Sequence, residues 1–157
     1  MNHSKSKQKI LICDTLEDTI IYQVELLFED IPILEAIRNI KGLRYLKRAI
    51  VIKTLYLYYE KEIDFKKVLN KILFQFQKTY YETIEKEVLK LINSCDKYFK
   101  THIRTYYRKN DIRKKFPAKL SFEGLADFYS KEVFNLLIYK KILKKGDGRN
   151  GRTYDVN

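Results

Sequence analysis

The chain has 157 residues, 45% of them hydrophobic and 33% charged, and its 32 Lys or Arg against 20 Asp or Glu leave a formal net charge of +12. That length can bury a core without disulfides or metal, and that balance excludes a disordered chain. Cys13 and Cys95 with His3 and His102 form neither a disulfide framework nor a metal-spacing motif, and no apolar run reaches membrane-span length, so a cytoplasmic protein with no cofactor, metal or membrane partner is expected.

In chain order, residues 1–9 carry Lys5, Lys7 and Lys9 and read as a basic flexible tail. Residues 10–115 read as a helical body. Thr15 with Asp18 resembles a capping box, and Leu16, Ile20, Val24, Leu27 and Phe28 recur at helical spacing, which predicts a first helix ending near Asp30. Pro32 suits the first turn of a second helix with Ile33, Leu34, Ile37 and Ile40 on its apolar side and Gly42 as its stop. Residues 43–59 begin with helical period, although the stretch from Ile50 to Tyr58 is rich in β-formers; helix is the expectation.

Asp64 can cap the next segment, where Phe65, Val68, Leu69, Ile72, Phe76, Tyr80, Ile84, Val88, Leu91, Cys95 and Phe99 form one stripe. A stripe of that length predicts one long amphipathic helix or two in tandem. Glu60, Glu62 and Asp64 would share a face if extended and could then mimic a metal-dependent nuclease site, but between two helices they read as a turn. Residues 100–119 turn basic and polar and read as a helix end and linker.

Residues 116–157 then read as helix, turn, helix and hairpin. Ser121 caps a helix with Leu125 and Phe128, Ser130 caps another through Leu137 and Lys141, and two β-prone runs flank the loop 146–151. The fold class expected is mostly α: a helical bundle with a long amphipathic helix and a small C-terminal β-hairpin.

Charge points to function. Residues 101–157 hold fourteen Lys or Arg against six Asp or Glu, a surplus of eight in the C-terminal third. A basic region attracts a polyanion and gains from counterion release, so nucleic acid, DNA favoured, is the expected partner. Tyr106 and Tyr107 between Arg104 and Arg108 are candidates for stacking unpaired bases beside phosphate contacts. No glycine-rich phosphate loop or nucleophile set stands out, and no enzymatic activity is expected.

Two resemblances sharpen this. The C-terminal third resembles a winged helix-turn-helix, which would make residues 130–141 the recognition helix. Lys140 and Lys141 would then lie at its end, and Lys144, Lys145, Arg149 and Arg152 on the wing. Residues 31–84 resemble the C-terminal domain of the archaeal and eukaryotic primase large subunit, in the small cluster-free form of some archaea. The match runs through Ile31-Pro32, Gly42, Leu46-Lys47-Arg48-Ala49, Phe65 to Leu73 and Lys78-Thr79-Tyr80-Tyr81. Two cysteines cannot hold the four-cysteine iron–sulfur cluster of the ordinary large subunit. This resemblance implies a non-catalytic DNA replication subunit that holds nucleotide and template-primer for a catalytic partner, with Arg44, Lys47, Arg48 and Lys53 binding nucleotide. The alternatives are a winged-helix transcriptional regulator and a nucleic-acid-coating viral assembly protein.

Overall fold

The computed structural model describes residues 15–77, 79–113 and 119–139. Among these the protein is all helical, with α1 (Leu16–Leu27), α2 (Ile33–Arg38), α3 (Ile40–Tyr58), α4 (Phe65–Gln75), α5 (Tyr81–Ser94), α6 (Asp96–Lys109) and α7 (Phe122–Tyr139). The C-terminal hairpin expected from the sequence lies outside the described residues, and so does the basic tail.

Helix α3 is the hub, with α7, α5, α1 and α4 all packed against it. Its residues Leu43, Tyr45, Leu46, Ala49, Ile50, Val51, Ile52 and Thr54 are buried, including four consecutive positions that cover every side of a helix. Burial on all sides explains the run of β-formers: these side chains fill the middle of the bundle, where packing outweighs intrinsic propensity. The buried Thr54 hydroxyl, Oγ1, donates to Ile50 O at 2.7 Å and so carries no unmet donor into the core.

Gly42 does not stop a helix as expected. It lies inside α3, buried against α5, and a methyl group built on it would sit 2.8 Å from the Glu87 carbonyl carbon. The glycine is there so that two backbones can approach. The stripe over 65–99, expected as one long helix or two in tandem, runs through three helices. Asp64 Oδ1 caps α4 by accepting from Lys67 N at 3.1 Å, and α4 ends before an extended residue, Tyr80. Helices α5 and α6 then follow with only Cys95 between them. Cys95 (φ −113°, ψ 27°) departs from helical geometry, closing α5 with the bond Cys95 N to Leu91 O and opening α6 with Phe99 N to Cys95 O. Most of the stripe is core, with Val68, Leu69, Ile72, Ile84, Val88, Leu91, Cys95 and Phe99 all buried, whereas Tyr80 is exposed.

Helix ends follow local chemistry. Thr15 Oγ1 accepts from Asp18 N at 3.0 Å and starts α1. Helices α3 and α6 end in the same doubly bonded C-terminal turn: Lys61 N donates to Tyr56 O and Glu60 N to Leu57 O, while Ile112 N donates to Tyr107 O and Asp111 N to Arg108 O. Glu60 (φ 56°) and Asp111 (φ 54°) occupy the left-handed position that glycine would fill without strain. That turn takes Glu60 out of the extended carboxylate face considered for Glu60, Glu62 and Asp64, and Asp64 serves as the α4 cap.

Residues 122–139 form one continuous helix, without the turn expected before Ser130. Ser130 is buried in mid-helix, its hydroxyl donating to Asp127 O at 3.1 Å, while Ser121 Oγ accepts from Gly124 N at 3.0 Å at the helix start. Helix α7 belongs to the same core as α3, with Leu125, Ala126, Tyr129, Val133 and Leu137 buried. The second expected helix also differs. It is short, and its apolar residues face outward rather than into the core.

Two substitutions test these constraints in opposite directions. Gly42→Ala should lower unfolding free energy by about 1–3 kcal/mol, because overpacking against Glu87 outweighs the helix propensity gained. Glu60→Gly should raise it by about 0.5–1 kcal/mol by relieving the left-handed residue. Urea unfolding of each variant gives both signs, and a stabilising Gly42→Ala would remove the close-approach account of that helix crossing.

Candidate nucleic-acid interface

Three cations of α3 are already paired. Lys47 Nζ lies 2.8 Å from Glu25 Oε1, Arg48 Nη1 2.7 Å from Glu17 Oε2, and Lys53 Nζ 2.6 Å from Asp127 Oδ1. Each cation is mostly buried, which is why each has a carboxylate from α1 or α7 beside it. Arg44 alone of the four expected nucleotide ligands is exposed. The structure therefore brings Lys47 and Arg48 to the seam with α1 and Lys53 to the seam with α7, and the four do not converge on one open pocket.

Helix α6 is different. Its inner side holds Phe99 and Ile103, both buried, with Tyr98, His102, Tyr106 and Tyr107 half-buried beside them. Its outer side carries Lys97, Thr101, Arg104 and Arg108, all exposed. Spacings of seven and four residues put Lys97, Arg104 and Arg108 on one line along the helix, about 16 Å long at 1.5 Å per residue. Arg104 also makes a contact within the fold. The helix has one carboxylate, Asp96, at its first residue, 3.1 Å from Lys100 Nζ. The outer face is thus a cationic ridge with its single anion at one end.

Of the expected site residues on α6, Arg104 and Arg108 lie on this ridge and the tyrosines do not. Tyr106 meets Phe128 edge-to-face at 5.2 Å between ring centroids, and Tyr107 packs against the core. Both rings contribute to the interior more than to a stacking platform. Lys97 was not among the expected ligands, although its spacing from Arg104 and Arg108 is legible in the sequence as one helical face. Lys140, Lys141, Lys144, Lys145, Arg149 and Arg152 lie outside the described residues.

Behind the ridge is an aromatic cluster. Phe28, Phe99 and Tyr129 pack edge-to-face at 5.2–6.4 Å, Phe128 joins Tyr129 at 5.0 Å, and the Tyr98 ring lies tilted against His102 at 4.5 Å. His102 Nδ1 and the buried Tyr129 hydroxyl are hydrogen-bonded at 3.0 Å. Burial pushes His102 below its ordinary value of 6.5, with the Asp30 carboxylate opposing, and the same burial pushes both tyrosine hydroxyls far up. Burial also raises Glu132, against the pull of Lys109.

Among the described residues, no cluster of three or more His, Cys, Asp or Glu is placed to hold a metal ion, and no helix is long and apolar enough to cross a membrane. Comparison with family models, curated proteins and solved structures returned no match.

The buried histidine makes a pH prediction. With its folded value depressed, His102 contributes stability that is complete above pH 6.5 and is lost as pH falls from there through the folded value. Glu132, shifted upward, acts in the opposite direction and is common to all variants compared. The unfolding free energy of the wild type should therefore fall relative to His102→Phe between pH 7 and pH 5, as measured by urea titrations at matched ionic strength. A difference that stays flat across that range would mean that His102 is not held neutral by its surroundings.

Proposed function

We propose that this protein is a non-catalytic nucleic-acid-binding protein whose phosphate-contacting surface is the outer face of α6. The observation that carries the reading is the alignment of exposed Lys97, Arg104 and Arg108 on a helix whose opposite side is locked into the core. Cations on a rigid element meet a polyanion with little loss of backbone entropy, and each phosphate neutralised releases counterions. The surplus of positive charge in residues 101–157 extends the same attraction along the chain. Ridge contacts of this kind position a nucleic acid and carry no base readout, so binding is expected to be weakly selective for sequence.

A role in replication as a nucleotide-holding subunit requires Arg44, Lys47, Arg48 and Lys53 to accept a triphosphate. Lys47, Arg48 and Lys53 would first have to leave Glu25, Glu17 and Asp127. The ridge reading asks no such rearrangement of Lys97 and Arg108 and is preferred for that reason.

Binding to a fluorescent oligonucleotide, single-stranded or duplex, should weaken log-linearly with salt. Replacing Lys97 and Arg108 together with Ala should shallow the slope by about 1.4–1.8, the contribution of two phosphate contacts, and weaken all sequences alike. Thermal stability should change little, since both side chains are exposed. Calorimetry with a nucleoside triphosphate should give no saturable heat. An unchanged salt slope in the double variant would sink the ridge assignment, and saturable nucleotide heat lost in Arg44→Ala would restore the subunit reading.

A further inference from the structure

Phe74 is the most exposed large apolar side chain among the described residues, at 82%. It stands near the end of α4, whose inner side is held in the core by Val68, Leu69 and Ile72. With about 3.6 residues per turn, Lys67, Asn70, Lys71 and Phe74 fall at i, i+3, i+4 and i+7 on the opposite side of this one helix, and all four are exposed. A ring left in water adds nothing to the core, so its place on this line calls for a partner outside the fold.

The chemistry around the ring indicates which partner. From Phe65 to Tyr81 the sequence holds Lys66, Lys67, Lys71 and Lys78 and no Asp or Glu. The carboxylates that border this stretch are Asp64, engaged as the α4 cap at the end far from Phe74, and Glu82 in the first turn of α5. Lys71, one turn before Phe74, is seated against a ring rather than a carboxylate, its Nζ 5.9 Å from the centroid of Tyr56. The Tyr81 hydroxyl donates to Asn70 Oδ1, which ties the start of α5 to this side of α4. Tyr80, next to it in extended conformation, is a second open ring at 71% exposure. Open rings beside cations suit a polyanion whose monomers each present a flat π-face, which is a nucleic acid with unpaired bases. A duplex offers the phosphates but keeps its bases stacked inside. A protein partner fits less well, because lysine is depleted in protein interfaces and one ring supplies little of the area that a stable contact buries.

We propose that this face of α4 binds single-stranded nucleic acid, with Phe74 stacking on an unpaired base, Lys67 and Lys71 holding the phosphates beside it, and Tyr80 open to a further base. The proposal rests on the reading of the protein as nucleic-acid-binding and adds to it a preference for unpaired strands, which phosphate contacts along α6 do not supply.

Fluorescence anisotropy on the full chain at one salt concentration tests this with three probes: an oligothymidylate, an abasic oligomer of the same length and a duplex. Phe74→Ala should weaken the oligothymidylate by about fivefold or more and leave the abasic oligomer and the duplex unchanged. Tyr80→Ala added to it should weaken the oligothymidylate further. The melting curve of Phe74→Ala should not move, since the ring is exposed. The chain has no Trp, so Phe74→Trp places a single reporter at the site, and its emission should be quenched by the oligothymidylate and not by the abasic oligomer. Changing Lys97 and Arg108 to Ala should instead weaken all three probes alike. Oligothymidylate affinity that Phe74→Ala leaves unchanged, or equal quenching by the abasic oligomer, would overturn the stacking site and leave the α6 reading standing. A wild type that binds none of the three probes would remove both. Binding to phosphatidylglycerol vesicles that is lost on Phe74→Ala, with oligothymidylate binding kept, would overturn the proposal by giving the face to a lipid surface.

Discussion

The burial of α3 on all sides sets the terms for the rest of the fold. The middle of this helix has no solvent face on which to keep a charge, unlike its first turn with exposed Lys41 and Arg44, yet it carries Lys47, Arg48 and Lys53. An uncompensated buried charge costs several kcal/mol, far more than an exposed ion pair returns. Glu17 and Glu25 of α1 and Asp127 of α7 therefore stand at the heads of these three cations. The pairs are better understood as the condition for placing α3 centrally than as a source of stability. They also orient the neighbours, because α1 and α7 must present those carboxylates toward α3. Arg48 marks the limit of the arrangement: its Nε is buried without a hydrogen-bond partner.

A second constraint comes from the aromatic cluster around Phe28, Phe99 and Tyr129, which ties the end of α1 to α6 and α7. Rings meeting edge-to-face fix helix rotation more strictly than aliphatic contacts, since the preferred geometry is directional. With its inner rings engaged in this way, α6 cannot turn about its axis, and its outer line of cations keeps one orientation. Inner packing and outer charge on this helix are thus one device, in which the aromatic residues present the basic ones.

Much of the helical content was legible in the sequence. The caps at Thr15, Asp64 and Ser121 and the apolar stripe from Val68 to Phe99 identify helices because capping and periodicity are local properties. What was not legible depends on neighbours distant in sequence. Gly42 has the sequence signature of a helix stop, and only the approach of Glu87 makes it an interior contact. Ser130 resembles a cap, but its hydroxyl is satisfied within the helix by Asp127 O. Ile33, Leu34 and Ile37 have the pattern of a buried face, and period alone cannot distinguish a face covered by the same chain from one left open. The candidate site divides in the same way. Arg104 and Arg108 were readable as exposed cations, whereas the engagement of Lys47, Arg48 and Lys53 depends on carboxylates 22, 31 and 74 residues away along the chain.

That division bears on where a net charge of +12 can act. Cations paired at the seams of α3 are screened by their own carboxylates and add little to the field outside. Lys97 and Arg108 on α6 face water, so their field reaches outward over a Debye length of about 8–10 Å. Formal charge therefore overstates the attraction of one part of the chain and understates how far it is concentrated in another.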